Sequence, residues 1–301
     1  MKAFYEIRRK CDAWLADMDW VLSSKWESML STPELFDEET DTDGLLPCES
    51  GEKHKEIAKD VARILGEACL GSMFRLSGGE ATVKADHLVG MLARERILSD
   101  IIIDFCIRCI CNSVGEYFAI DSYAPKFGCP TPPVTSISMF QYAVLLVHLS
   151  NMHWGIIMVR MNYHQDPPTF TPYFYEPLCS GSYRASMEDT YEETVSTFLR
   201  DWHNSSMPTA ESSVESSAVW FDAPTQPDGT SCGVLCIAQA YAMLRDSFSF
   251  SRTAVTPDDV AVMRLKILWM IISQPAVKNR SNKLEGAVNA TDKALLATIM
   301  K

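Results

Sequence analysis

Helical periodicity at both ends of this chain brackets a middle stretch of short apolar runs set off by proline and glycine. That order constrains the fold more than any other feature. Over residues 1–30, Trp14, Met18, Val21 and Leu22 recur at helical spacing. A second helix is predicted from Lys53 to about Phe74, with Ile57, Val61, Ile64, Leu65 and Ala68 on its apolar face and Ser77-Gly78-Gly79 punctuating it. Asp86–Arg94 fits a short helix. Ser99 or Asp100 sits near the N-cap of a further helix, D-I-I-I-D-F-C-I-R-C-I-C. Then Tyr117–Asp121, Ala143–His148, Gly155–Met161, Thr171–Glu176 and Ser217–Asp222 read as strands. Met187–His203 reads as an exposed helix, Cys232–Leu244 as a buried one, and Pro257–Ser273 as another with Asp258 and Asp259 in its first turn, where the helix dipole favours them. No internal repeat is seen. Helices, then strands, then helices predict an α+β domain and not a regular βαβ alternation.

Composition removes several function classes. With 301 residues, 47% of them hydrophobic, the chain can bury a core without disulfides or metal. Its 27 Lys+Arg stand against 39 Asp+Glu, a net charge of −12, which argues against general nucleic-acid binding. The acidic run Asp37–Asp43 is expected as a solvated loop. The most apolar stretches, Tyr142–Leu149 and Ile267–Ile272, fall short of the roughly 20 residues a membrane helix needs. The N-terminal M-K-A-F-Y-E-I-R-R-K has no apolar segment behind its basic residues, so it does not read as a secretory signal. Ten cysteines then point to reduced thiols in the nucleus or cytoplasm, and the sequons at Asn204, Asn279 and Asn289 are incidental.

The segment Q-P-D-G-T-S-C-G-V-L-C-I-A-Q-A delivers Cys232 from a tight turn to the start of an apolar helix. Unpaired N–H groups and the positive end of the helix dipole favour a thiolate there. Gly233 would leave room for the backbone of a substrate. A buried cysteine that merely opens a core helix would look the same.

Cysteine chemistry needs a base and an acceptor to orient it. Among six histidines, His153 stands at the start of an apolar strand in S-N-M-H-W-G-I-I-M-V. His148 lies inside the preceding strand and reads as a core residue. His54 and His87 fall in the N-terminal helical part, His164 in a loop and His203 on the charged helix. The next strand, P-Y-F-Y-E-P-L, ends at Glu176, and a hairpin would bring that carboxylate to the His153 ring. Asp166 is the next carboxylate to consider. Gln226, six positions before Cys232, is placed to aim its amide at an oxyanion on the attacked carbonyl. Cys106, Cys109 and Cys111 have no nearby fourth ligand, and they and Cys236 read as packing residues; no metal and no cofactor is expected.

Taken in order, His-Trp, a Tyr-acid-Pro-Leu strand and Gln-x5-Cys-Gly resemble the ubiquitin-like protein proteases, the Ulp/sentrin-specific (SUMO) protease family. Upstream, R-I-L-S-D-I-I-I-D-F-C-I resembles that family's W-L-x-D-x-x-I-N-F-Y segment through Leu98, Asp100 and Phe105. The likeness spans residues 81–275, leaving 1–80 as an N-terminal helical extension of unassigned role and 276–301 as a tail. It implies a papain-like cysteine protease fold with a central mixed sheet flanked by helices. It also implies cleavage after the C-terminal Gly-Gly of a ubiquitin-like modifier, SUMO-like by preference. Cys232 would be the nucleophile, His153 the base, Glu176 the orienting acid and Gln226 the oxyanion donor. Trp154 would cover a channel that admits only glycine. The partners would be the modifier and its conjugates, with no membrane or nucleic acid, and the chain a monomer.

Three positions depart from the family pattern. The acid is Glu176 where SUMO proteases carry Asp, although the related adenovirus protease uses Glu. Ser231 precedes the nucleophile where Asp is common, and Ile97 replaces a Trp. Two other readings keep the same residues: a modifier-binding protein that has lost hydrolysis, and an acyltransferase resembling the YopJ-like effectors.

Overall fold

The computed structural model describes residues 2–29, 49–68, 71–76, 81–208, 214–244, 255–274 and 277–280. The acidic run, the Ser77-Gly78-Gly79 break and most of the C-terminal tail lie outside these. In chain order the elements are α1 (Lys2–Ser23), α2 (Glu49–Gly66), β1 (Met73–Leu76), β2 (Thr82–Lys84), α3 (Ala85–Leu92), α4 (Asp100–Val114), β3 (Tyr117–Ile120) and α5 (Ala124–Phe127). There follow β4 (Tyr142–Leu149), β5 (His153–Asn162), β6 (Thr169–Tyr175), α6 (Gly181–Thr190), α7 (Thr197–Ser206), β7 (Val214–Glu215), β8 (Val219–Phe221), α8 (Cys232–Leu244), α9 (Pro257–Ser273) and β9 (Val277–Arg280).

The main sheet runs β3-β4-β5-β6-β7, with β8 also pairing β6. It is mixed: β4, β5 and β6 form an antiparallel meander, whereas β3 joins β4, and β7 and β8 join β6, in parallel. In β4 and β5 nearly every residue is buried, because helices cover both sheet faces. One face carries α4, α8 and α9, through Ile103, Phe105, Leu235, Ile237 and Leu268. The other carries the long helical stretch 181–206, through Met187, Tyr191, Val195, Phe198, Leu199 and Trp202. That stretch is therefore half-buried, against the expectation of an exposed helix. Its turn over Tyr191–Ser196 is a wider π-helix that links α6 to α7.

The N-terminal helices share the first core. Val21 of α1 and Val61 and Leu65 of α2 are fully buried in it. Asp17, buried on α1, forms ion pairs with Arg94 and Arg96 just after α3, which ties the extension to the segment leading into α4. A second sheet, β2-β1-β9, was not foreseen: Phe74 pairs with Val83 on one side and with Asn279 on the other, so part of the predicted tail is a strand.

Candidate active site

The register of the meander builds the site. Leu149 pairs with His153 at the β4–β5 turn, and Ile156 pairs with Tyr175 at the end of β6. Glu176, the next residue, is thereby carried back beside the first residues of β5. His153 Nε2 lies 2.9 Å from Glu176 Oε2, with both side chains buried. The same Oε2 accepts from the Leu178 N–H at 2.9 Å, and Oε1 accepts from the Ser180 N–H at the start of α6. A helix N-terminus and a turn thus hold the carboxylate rigidly. Met152 and Cys179, in the turns flanking this pair, adopt left-handed backbone (φ 57° and 52°), a conformation that costs free energy in non-glycine residues.

His153 also interacts with the Cys232 thiol. With Nε2 committed to Glu176, Nδ1 is the ring nitrogen left to serve it. Burial alone would drive the imidazole toward neutrality, but the interactions with Cys232 and Glu176 outweigh it and raise the His153 pKa to about 9. The Tyr183 ring of α6 stacks on the imidazole at 4.8 Å and limits its rotation. Cys232 itself opens α8 and is almost wholly buried.

The loop before α8 is organised by a residue that sequence reasoning passed over. Asp228 Oδ1 accepts from the Thr230 N–H at 2.7 Å and the Ser231 N–H at 2.8 Å. Partial burial would raise its pKa, but those bonds win and hold the carboxyl below the usual range. Tyr175 Oη donates to the Pro224 carbonyl at 2.6 Å and fastens the loop to β6. Gln226 lies on this loop, its N–H donating to the Pro177 carbonyl at 3.0 Å and its Nε2 to the Asp228 carbonyl at 2.7 Å; its Oε1 is buried without a partner.

At Gly233 an added Cβ would stand 2.7 Å from Ile103 Cδ1 and 3.2 Å from Leu98 Cβ, so the missing side chain allows close packing of α8 on α4. One expectation needs correction. His148 is exposed and is no core residue; its ring meets the edge of Trp154 at 4.7 Å. Asp166 lies in the turn beyond the far end of β5, whose last residue, Asn162, is nine residue steps from His153, about 30 Å along the strand. The Trp154 Nε1–H donates to the Leu98 carbonyl at 3.1 Å, and the indole lines a cavity of about 620 Å³ with Ile97, Asp100, Tyr123, His148 and Met152. Cys106, Cys109, Cys111 and Cys236 are buried, and burial raises their thiol pKa values. Among the described residues no cluster of three His, Cys, Asp or Glu side chains is arranged to hold a metal, and no helix is long and apolar enough to cross a membrane.

This architecture, a mixed meander flanked by helices with a cysteine at the head of a buried one, is the fold of the Ulp-type protease domain. The chain superposes on the C-terminal Ulp1 protease domain in complex with Smt3, the yeast ortholog of SUMO, with a TM-score of 0.52 and 17% identity, over 74% of this chain and 96% of that one. It is similarly close to SUMO protease Ulp1 with the catalytic cysteine oxidised to a sulfenic acid (TM-score 0.51, 17% identity, 73% and 94% covered). No family model and no curated protein matches the sequence.

Proposed function

We propose that this protein is a cysteine peptidase or isopeptidase that cleaves after the C-terminal Gly-Gly of a ubiquitin-like modifier, SUMO-like by preference. The observation that carries the reading is the buried relay of Cys232, His153 and Glu176, on a fold shared with a protease crystallised with a SUMO ortholog.

In this reading the Cys232 thiol gives its proton to His153 Nδ1, and the thiolate attacks the carbonyl of the last glycine. The Gln226 amide and a backbone N–H receive the oxyanion. Nε2 has one hydrogen committed to the Asp228 carbonyl, so its second is the one available. The C–N bond breaks as His153 protonates the leaving amine, leaving a thioester. His153 then takes a proton from water, hydroxide adds to the thioester carbonyl, and thiolate departs with release of the modifier. The tail lies along the Trp154 cavity, whose wall includes Leu98, the residue packed against Gly233 at the start of α8.

The test is labelling with ubiquitin-like proteins carrying a C-terminal electrophile, on wild type and Cys232→Ala. A covalent adduct with one modifier, absent from the variant, is the expected result. A folded sample that labels with none overturns hydrolysis; tight modifier binding would then indicate a binding protein, and acetylation of a partner from acyl-CoA an acyltransferase.

A further inference from the structure

Arg264, on the inner face of α9, is 1% exposed. Burying a guanidinium is unfavourable unless its charge and donors are compensated. Among the described residues, no carboxylate lies within ion-pair distance of it, although Asp228 and Glu95 interact with it at longer range. Its partners are three backbone carbonyls instead: Nη1 donates to Met91 at 3.2 Å, and Nη2 to Arg96 at 2.6 Å and to Thr230 at 3.4 Å. Its Nε is buried without a hydrogen-bond partner. These bonds join α9 to the end of α3, to the chain leading into α4 and to the loop before α8. Thr230 is two residues from Cys232. A helix strut would be served more cheaply by an apolar side chain, so the retained cation calls for a use of its charge.

We propose that Arg264 is a positioning residue for Cys232: it clamps the carbonyl two residues before the thiol and sets a fixed positive charge in the field of its sulfur. The inference rests on Cys232 being the nucleophile of the reading above. Electrostatic interaction links Arg264 to Cys232, Asp228 and Glu95. Burial lowers the guanidinium pKa to about 10, against the pull of those groups, so it stays cationic where thiols and histidines titrate. The other titratable groups about the thiol are His153 from β5, Tyr175 and Glu176 from the end of β6 and Cys236 from α8, while Asp228 from the loop faces Arg264. Tyr175 and Cys236 remain neutral because burial raises both. His153 titrates at about 9. Arg264 is a cation that stays charged whether or not His153 holds its proton.

The experiment is the pH dependence of Cys232 alkylation by iodoacetamide in the full chain, read by mass on the peptide containing Cys232, for wild type, Arg264→Gln and Arg264→Lys. Thermal melts establish that each variant is folded. Loss of the charge in Arg264→Gln raises the midpoint of alkylation by about one pH unit. Arg264→Lys moves it the same way by less, because the shorter arm draws the charge away from Thr230 and cannot span three carbonyls. A folded variant with the wild-type midpoint overturns the proposal and leaves Arg264 a strut; Arg264→Lys decides alone if Arg264→Gln does not fold. Alkylation needs no modifier, so this result is separate from the failure or success of probe labelling.

Discussion

His153 Nε2 and Glu176 Oε2 stand 2.9 Å apart with solvent excluded from both. The carboxylate has only donors around it, from His153, Leu178 and Ser180. Glu176→Gln places an –NH2 group among them, so one donor must face another. Probe labelling is predicted to slow by up to about 10⁴-fold, the loss that follows when the acid of a serine-protease triad becomes its amide. Stability is predicted to fall by about 1–3 kcal/mol for the unsatisfied buried groups. Stopped-time labelling and thermal melts measure the two. An unimpaired rate would remove Glu176 from the relay, and with Asp166 at the far end of β5 no second carboxylate considered in the sequence would take its place.

The raised pKa of His153 makes stability depend on pH in a defined direction. The folded protein binds this proton more tightly than the unfolded chain, whose imidazole titrates near 6.5. The associated stabilisation is complete below about 6.5 and is lost as pH rises through about 9. The melting temperature is therefore expected to decline across that window. Cys232→Ala removes one of the two partners that raise the pKa, so its decline should be shallower. Identical slopes in the two proteins would show that the thiol does not hold the proton on His153.

Much of this arrangement was legible from local signals. The ends of α8 and α9 coincide with those read from the sequence, because an unbroken apolar run defines the first. The second begins at a Thr256–Asp259 capping box with Pro257 at the first helical position. The strand order around His153 and Glu176 suggested that these two meet, and the meander brings them to 2.9 Å. What escaped was non-local. Phe74 and Asn279 pair across about two hundred residues, and no short-range pattern announces such a strand. Nothing local marks Arg264, which the packing of α9 turns inward. Asp228 reads as an ordinary turn residue until its three neighbours are seen to hang on it. His148 misled because an apolar run hides which face a residue takes at the end of a strand.

Asp228 is expected to matter through the loop it shapes. Asp228→Ala removes the acceptor for the Thr230 and Ser231 N–H groups. A loss of about 1–3 kcal/mol is predicted. Asp228→Asn keeps one carbonyl oxygen in the Oδ1 position and should retain most of the stability. Because the folded carboxyl has a depressed pKa, its contribution is present above the ordinary value of 3.8 and disappears as pH falls below it. Melts of the three proteins at neutral and acid pH check both statements; equal stability of Asp228→Ala and wild type at neutral pH would refute them.

Gly233 separates a packing role from a substrate role. A methyl group there would meet Ile103 Cδ1 at 2.7 Å and Leu98 Cβ at 3.2 Å, and the second atom, next to the backbone, has little freedom to retreat. Gly233→Ala is predicted to cost about 1–3 kcal/mol, the usual penalty of overpacking a dense core. Ile103→Val deletes the Cδ1 that stands closest, so the double variant should recover part of that loss, a coupling a double-mutant cycle reads directly. If Gly233 instead kept a path open for the modifier tail, Gly233→Ala would melt like wild type and lose modifier affinity, and Ile103→Val would rescue nothing. Thermal melts and modifier titrations on the four proteins of the cycle distinguish the two outcomes.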